Sequence, residues 1–325
     1  MVDLSGDNVT ETLVLDGFVI EGGAANGGAA PVIGGGVRVR NGARPTISNC
    51  RIVGNIGASG AGLGIDGAGS KATLVNCLFV GNEADVDGGA ILIRNSDLTS
   101  SIINCTIASN TALAGGGVAL ADSGASATFT NSILVLNKDD LGLSAKSQIG
   151  VDSGASVSLS HCVLPCDGDA VFGGVGLAFL QPRFSDLDGD DNLLGTSDDN
   201  GDLAPGSPCI DAGTLVGFPA DVSDLDDDGD VAEFLPLDVE CTERLVADES
   251  VPDVVSAIDI GCDEADFEGE GETLFADLNG DNIVDGADLA LVLGSFLNEN
   301  PDVDLTGDCI VDGADLGIVL GSWTN

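Results

Sequence analysis

A repeat with a period of about 27 residues fills the chain between positions 45 and 137, and it limits the possible folds more than any other feature. Each copy begins with threonine or serine and carries asparagine at its fourth and tenth places. The four copies occupy residues 46–55, 73–82, 101–110 and 128–137. Short β-prone runs between glycine and asparagine turns, at a fixed period, are typical of a solenoid. A period of this length predicts that each repeat forms one coil of a parallel β-helix.

Stacked coils place equivalent residues in columns, and the repeat predicts which side chains share a column. Two columns are apolar and should point inward: Ile47, Leu74, Ile102 and Phe129, and then Ile52, Phe79, Ile107 and Leu134. Two others are asparagine ladders: Asn49, Asn76, Asn104 and Asn131, and then Asn55, Asn82, Asn110 and Asn137. The side-chain amides of a ladder can bond to the coils above and below.

Three cysteines share a further column, because Cys50, Cys77 and Cys105 occupy the same place in successive repeats and Ser132 continues the column. Buried cysteine behaves as a small hydrophobe, so we interpret these thiols as packing residues rather than metal or redox groups. His161, the only histidine, stands where other coils carry a ladder asparagine. It is interpreted as a substitute for that asparagine, not as a catalytic base.

These repeats resemble the right-handed parallel β-helix proteins, including the pectin-lyase-like family, from residue 12 to about residue 165. The resemblance implies a mainly-β fold, with β-helix coils over residues 1–165. It leaves activity open, because many proteins of this architecture are not enzymes.

The formal net charge of −44 is spread unevenly along the chain. Residues 1–165 hold 14 acidic and 8 basic side chains, whereas residues 166–325 hold 40 acidic and 2 basic ones. Such an acidic half repels nucleic acid and anionic membranes, and it attracts cations. No apolar run approaches the length of about 18 residues that a membrane-spanning helix needs, so membrane insertion is not expected.

The sequence after Met1 lacks the basic and apolar regions of a secretion signal. Since Met1 is also the only methionine, we expect the chain to be a fragment that has lost its signal, and we expect an extracellular or cell-surface location. Nine cysteines are an odd number. Cys209, Cys241 and Cys262 lie outside the repeat and leave a disulfide open, with no pairing assigned.

Residues 166–262 lose the repeat and carry alternating aspartates. They resemble the segment that closes the β-helix in large secreted bacterial repeat proteins, which implies an irregular acidic cap. Two runs are candidates for weaker calcium sites: Asp186, Asp188 and Asp190, and then Asp224, Asp226 and Asp228. Neither run has a carboxylate at the twelfth position, so neither closes as an EF-hand loop. Residues 263–272 are predicted to be a solvated linker.

Two similar stretches near the C-terminus, 277–288 and 304–315, each place oxygen-bearing residues as a calcium loop does. The predicted ligands of the first loop are Asp277, Asn279, Asp281, the carbonyl of Ile283, Asp285 and Asp288. Those of the second loop are Asp304, Thr306, Asp308, the carbonyl of Ile310, Asp312 and Asp315. These residues hold loop positions 1, 3, 5, 7, 9 and 12. The sequence therefore predicts two Ca²⁺ ions here, with further ions in the acidic middle left open.

Each loop runs into a short amphipathic helix that is predicted to bury one face. The faces are Leu289, Val292, Leu293 and Phe296, and then Leu316, Val319, Leu320 and Trp323. Val284 and Val311 hold loop position 8, where two such loops are expected to pair by a short β contact. Because so small a module has little core, ion binding should supply much of its folding free energy.

This paired arrangement, over residues 273–325, is similar to dockerin modules, which lack the entering helix of a full EF-hand. The resemblance implies docking onto a cohesin-like domain. It also implies that loop positions 10 and 11 recognise the partner; here they are Gly286, Ala287, Gly313 and Ala314. These small residues depart from the well-known Ser-Thr type.

The leading hypothesis is a non-catalytic, secreted or surface-displayed scaffold that docks through its calcium-dependent tail. The alternative is a polysaccharide lyase or glycoside hydrolase tethered by the same tail, with Arg38, Arg40, Arg51 and Arg94 as candidate bases for a lyase. The lack of tyrosine and of long loops weighs against sugar chemistry, and no catalytic residue is assigned. A third possibility is self-association through the exposed ends of the coils.

Overall fold

The computed structural model describes residues 1–25, 33–165, 172–218, 220–221, 234, 237–240, 242, 244, 258–265, 276–279, 283–297, 300, 303–306 and 310–324. Over these ranges the chain is mainly β: it forms a parallel solenoid of about 5 turns, and it also contains three helices. None of these helices is long and apolar enough to cross a membrane.

Three parallel sheets form the walls of the solenoid. Sheet 1 contains β1 (Val2–Ser5), β5 (Val37–Arg40), β9 (Leu63–Asp66), β13 (Ile91–Arg94), β16 (Val118–Ala121) and β21 (Ile149–Val151). Sheet 2 contains β2 (Val14–Asp16), β6 (Thr46–Ser48), β10 (Thr73–Val75), β14 (Thr99–Ile103), β17 (Ser126–Thr130), β22 (Ser156–Ser160) and β24 (Gly174–Val175). Sheet 3 contains β3 (Val19–Glu21), β7 (Arg51–Val53), β11 (Leu78–Val80), β15 (Thr106–Ala108), β18 (Ile133–Val135), β23 (Val163–Leu164) and β25 (Ala178–Phe179).

Smaller elements complete the coils. A short parallel sheet contains β4 (Ala24–Ala25), β8 (Ile56–Ser59) and β12 (Glu83–Asp87), and a hairpin joins β19 (Lys138–Asp139) to β20 (Gly142–Leu143). The helices are α1 (Ala145–Gln148), α2 (Gly286–Gly294) and α3 (Gly313–Gly321). Because β24 and β25 pair with the preceding coil, the parallel stack continues beyond residue 165.

The two apolar columns are confirmed by the strand register. Leu74 lies opposite Ile47 and Ile102, and Phe79 lies opposite its equivalents in the coils on either side. These side chains are buried in one continuous core, together with the thiols of the cysteine column. The period of the repeat thus sets the register, because each coil must bring its apolar residues over those of the last.

The first asparagine column is a corner of left-handed backbone conformation. Its members have φ between 47° and 50°: Asn49, Asn76, Asn104, Asn131 and His161. Asparagine tolerates this region better than most residues, which explains its repetition. His161 therefore takes the place of a corner asparagine, as the sequence indicates.

The second asparagine column forms a buried amide ladder. The Nδ2 atoms of Asn55, Asn82 and Asn110 each donate to the Oδ1 of the next asparagine, over 2.9–3.0 Å. The ladder ends where Asn137 Nδ2 donates to Gln148 Oε1 of α1 at 2.7 Å. Buried amides of this kind are stable only when their donors and acceptors are paired. The predicted ladder is confirmed, and α1 completes it.

The middle segment (residues 166–262) also contacts the side of the solenoid, which the sequence does not predict; its role as a cap on the end of the coils stays a prediction. Its described residues pack along the outer face of sheet 3, where Leu203 and Ile260 join Val53, Leu78 and Val135 in one buried cluster. Sheet 3 is apolar on both faces, so it needs a cover on the outside as well as a core on the inside.

A close backbone contact fixes one loop of the middle segment against the coils. A Cβ at Gly54 would lie 2.0 Å from the carbonyl oxygen of Gly195, and a Cβ at Gly81 would lie 2.5 Å from the Cα of Gly195. Gly54 and Gly81 also have φ near +60°, which a side chain would strain. Glycine at these two turns therefore lets the loop approach.

Candidate metal sites

The two C-terminal loops lead directly into α2 and α3, and each helix is capped by the loop itself. Asp285 caps α2 and Asp312 caps α3, each accepting from the backbone N–H two residues on at 2.7 Å. In both cases the carboxylate of the aspartate at loop position 12 accepts from the backbone N–H of the capping residue, which completes a capping box. The loop and the start of its helix are thus one hydrogen-bonded unit.

The aspartate at position 12 ties the beginning of its loop to its end. Asp288 Oδ1 accepts from the N–H groups of Leu278 and Asn279, at 2.8 and 3.2 Å, and its Oδ2 accepts from Asp285 N at 2.8 Å. Burial alone would raise the pKa of Asp288, but these backbone donors outweigh it and lower that pKa. The carboxylate is therefore held in its charged form.

The second loop repeats this closure. Asp315 accepts from Thr306 N at 2.9 Å and from Asp312 N at 2.7 Å. Thr306 Oγ1 lies 3.2 Å from Asp304 Oδ1 and 3.1 Å from Asp315 Oδ1, so oxygens from positions 1, 3 and 12 come together. As for Asp288, backbone donors overcome the effect of burial and lower the pKa of Asp315. Carboxylate and hydroxyl oxygens gathered in this way fit a hard cation such as Ca²⁺.

Not every predicted ligand can be placed. Asp281, Asp308 and the run Asp224, Asp226 and Asp228 lie outside the described residues, as does Cys241. The carbonyl-bearing residues Ile283 and Ile310 are half exposed. The calcium assignment of both loops stays a prediction.

The helices bury less of their predicted faces than the sequence indicates. Val292 and Val319 are fully buried, but Leu293 is 54% exposed and Phe296 is 40% exposed. The same holds for the second motif, in which Leu320 and Trp323 are exposed. The predicted face is therefore wrong in part. Phe296 and Trp323 lie beyond the ends of α2 and α3, where helical periodicity stops, whereas Leu293 and Leu320 lie within the helices and are exposed all the same.

The sequence predicts that Val284 and Val311 pair with each other, but in the structure their carbonyls accept from residues near the ends of the two motifs. Thr324 N donates to the carbonyl of Val284 at 3.0 Å, and Leu297 N donates to the carbonyl of Val311 at 2.7 Å. Each valine carbonyl thus accepts from the third residue after the other motif's helix, at the equivalent place in both motifs. The two motifs are therefore joined by a symmetric pair of hydrogen bonds, and their small shared core contains both valines.

The first aspartate run of the middle segment gathers more carboxylates than the sequence count suggested. Partial desolvation and the neighbouring Asp188, Asp190 and Asp198 raise the pKa of Asp186. Asp198 stands one residue after the twelfth position, and its Oδ2 accepts from Asp191 N at 3.0 Å. A count that stops at the twelfth residue misses it. Calcium binding at this run stays a prediction.

Comparison with known proteins bears on the coils. Residues 12–164 match a family model described as right handed beta helix region. The coils of this chain are similar to that family and share its parallel β-helix architecture. No curated protein and no solved structure matches the chain. The family match stops before the middle segment and the C-terminal loops, so it confirms the architecture and says nothing of an activity.

Sequence reasoning missed a second acidic cluster. One carboxylate oxygen each from Asp202, Glu240 and Asp263 lies within 4.8 Å of the other two; we call these residues the carboxylate trio. Burial first, and then the charge of Glu240, raise the pKa of Asp202 to about 6. Burial and Asp202 likewise raise the pKa of Asp263. The three residues are too far apart in the sequence for any spacing rule to connect them.

The disulfide question is answered for two of its three cysteines. Cys209 and Cys262 are buried free thiols in the cluster that covers sheet 3. Burial raises the pKa of Cys209 to about 12, so this thiol is a packing group rather than a nucleophile.

Most of the arginines proposed as lyase bases are held in ion pairs. The hydrogen bond to Asp3 raises the pKa of Arg40, which makes proton abstraction by this guanidine harder. The pairs are Arg40–Asp3 at 2.7 Å, Arg94–Asp66 at 3.2 Å, and Arg51–Glu240.

Proposed function

We propose that this protein is a non-catalytic, extracellular or cell-surface β-helix that docks to a protein partner through its calcium-dependent tail. One observation carries the proposal. The aspartates at position 12 of both loops make the same closing hydrogen bonds, in a module whose core contains seven buried apolar residues among those that the structure describes. So regular a loop pair on so small a core is what a module folded around two cations requires.

The surface around the loops supports a docking role. Gly286 and Ala287, with their counterparts Gly313 and Ala314, are exposed on the first turns of the two helices. In the part of the same module that the structure describes, the exposed large apolar side chains are Ile283, Leu291, Leu293, Phe296, Leu297, Ile310, Leu320 and Trp323. Exposed apolar residues concentrated on one small module are typical of an interaction site.

The first test is a calcium titration of the full chain by calorimetry. A double variant, Asp277→Ala with Asp304→Ala, should bind two fewer ions than the native chain. Asp85→Asn removes an exposed carboxylate of β12 and serves as the control for the loss of a charge; it should bind as many ions as the native chain. If all three proteins bind the same number of ions, the assignment of the two loops as calcium sites is refuted.

The second test is docking itself. The immobilised chain is exposed to purified cohesin domains and to a second copy of the chain, in millimolar calcium and in chelator. Binding that needs calcium and disappears in the double variant supports the proposal. Loops that bind calcium but no partner of either kind would refute docking while leaving the ion sites intact.

The alternative, an enzyme acting on polysaccharides, has one feature in its favour. A pocket of about 290 Å³ lies beside Arg51 and Glu240, and the half-exposed Phe18 lines it. An aromatic ring next to charged groups is a feature of sugar sites. New reducing or unsaturated ends from a panel of acidic and neutral glycans, lost in Arg51→Ala, would establish the enzyme and overturn the scaffold.

A further inference from the structure

The carboxylate trio lies where the middle segment meets the coils. Glu240 contacts Arg51 of β7, so the trio adjoins the outer face of sheet 3. Its three members come from separate stretches of the middle segment and of the residues just after it. Oxygens within 4.8 Å of one another can share one Ca²⁺, because ligands 2.3–2.6 Å from the ion can stand up to about 5 Å apart.

Two members of the trio lack hydrogen bonds in the part of the chain that the structure describes. Asp263 is only 7% exposed, yet none of the described donors bonds to its carboxylate. Asp202 Oδ1 is buried and also has no partner among these residues. Buried carboxylates are normally paired, because leaving one without a donor or a counter-charge costs several kcal/mol.

A neighbouring aspartate shows that this is not a general lack of donors. Asp238 is fully buried and influences both Asp202 and Asp263 electrostatically. Its two oxygens accept four hydrogen bonds, from the N–H groups of Glu240, Thr242 and Glu264 and from the hydroxyl of Thr242. The segment therefore satisfies one buried carboxylate completely and leaves the oxygens of the trio facing one another.

The two nearby arginines attract the trio through their charges, Arg51 acting on Asp202 and Arg244 on Asp263, but neither donates a hydrogen bond to these two carboxylates within the described chain. Arg51 contacts Glu240, and Arg244 donates to the carbonyls of Asp259 and Gly261 and stands 3.5 Å from Glu264. Neither guanidinium makes an ion pair with the other two members of the trio within the described chain. What these oxygens lack is a compact positive charge among them.

We propose that Asp202, Glu240 and Asp263 bind one divalent cation, Ca²⁺, and that this ion fastens the middle segment to sheet 3. A site made only of carboxylate oxygens selects hard cations. The ion would join three stretches of the chain to one another and, through Arg51, to β7. This site is separate from the C-terminal loops and does not depend on their function.

The number of bound ions tests the proposal directly. In equilibrium dialysis against calcium, the full-length Asp263→Asn and Asp202→Asn variants should each bind one ion fewer than the native chain, whereas Asp85→Asn should lose none. The Asp277→Ala, Asp304→Ala double variant should keep this ion, which separates the site from the C-terminal loops. Unchanged binding in both trio variants would overturn the proposal.

Hydrogen exchange of the full chain gives a local measurement. At free calcium ten times the dissociation constant, exchange through opening of residues 258–265 should slow about elevenfold, because only the closed form binds the ion. Asp263→Asn should show no such slowing. In calcium-free buffer that variant should be at least as heat-stable as the native chain, since it removes a charge that its neighbours repel.

Two other results would count against the proposal. Protection that follows pH and ignores calcium would mean that Asp263 is simply protonated. Equal protection by magnesium at the same concentration would overturn the choice of calcium. If Asp263→Asn fails to fold without calcium, Asp202→Asn takes its place in both assays, and an ion count equal to the native value then decides against the site.

Discussion

Replacing Asn110 with alanine should destabilise the coils strongly, because this side chain stands in the middle of the buried ladder. Its Nδ2 donates to the carbonyls of Phe79 and Ala108 and to Asn137 Oδ1, each at 2.9 Å. Its Oδ1 accepts from Asn82 N at 3.0 Å and from Asn82 Nδ2 at 2.9 Å. The substitution therefore removes five buried hydrogen-bond contacts at once, of which the three made by Nδ2 share its two protons.

The expected loss in the free energy of unfolding follows from the number of bonds removed and from the bonds that the neighbouring groups keep. At about 0.5–1.5 kcal/mol for each bond, the loss in the free energy of unfolding lies at about 3–7 kcal/mol. The lower part of this range applies, because Asn82 Nδ2 keeps its bond to the carbonyl of Ile52 and Asn137 Oδ1 keeps its bond from Asn110 N. We expect about 3–5 kcal/mol, most of it from donors and acceptors left unpaired in the core.

Guanidinium denaturation followed by far-UV circular dichroism measures this loss, since the coils supply most of the β signal. Asn8→Ala, at an exposed asparagine, is the matched control and should change stability by less than about 0.5 kcal/mol. The fluorescence of Trp323, the only tryptophan, reports on the C-terminal module and should not change. A loss below about 1 kcal/mol for Asn110→Ala would refute the reasoning.

Three further predictions concern other parts of the chain. Since the folded-state pKa of Asp315 is lowered, its contribution to stability is complete above the unfolded value of about 4 and is lost as the pH falls through the lowered folded value. In millimolar calcium, which keeps the module folded at neutral pH, loss of the native tryptophan fluorescence should therefore begin only below about pH 4, and loss at pH 5 or above would contradict it. Cys77→Ser should cost less than about 1.5 kcal/mol in a denaturant titration, because the fourth coil already carries serine in this column; a larger loss would mean that the thiol contributes more than packing. Gly81→Ala should destabilise by about 1–3 kcal/mol by pushing Gly195 away, whereas Gly294→Ala, with open space around it in α2, should not destabilise; equal thermal shifts would contradict the close contact.

The sequence predicts the coils well because every coil repeats the constraints of its neighbours. A residue such as Phe79 must match both Ile52 and Ile107, so an error in register would disturb several columns together. The cover on sheet 3 was not predicted, although its signal is present. Leu78, Phe79 and Val80 are consecutive apolar residues, which a strand with only one buried face does not need.

The carboxylate trio could not be found from spacing. Asp202, Glu240 and Asp263 lie far apart along the chain, at unequal intervals and with no repeat to relate them. Calcium loops are found from the sequence because one short turn brings all their ligands together. A site built by the packing of an irregular segment on a sheet has no such local signature, and only the three-dimensional structure brings its oxygens together.

The three parts of the molecule are held by different forces, so they should separate as calcium is removed. The coils have a core of 28 buried residues and a fully bonded ladder, neither of which needs an ion. Among the described residues, the C-terminal module has seven buried apolar side chains, and the middle segment combines an apolar cluster with the carboxylate trio, whose negative charge is not balanced. Hydrogen exchange at falling calcium should therefore rise first in the C-terminal module and next at residues 258–265, while the coils stay protected throughout. Loss of protection in all three parts at one calcium concentration would mean that the ions hold the whole chain as one cooperative unit, which the separate cores argue against.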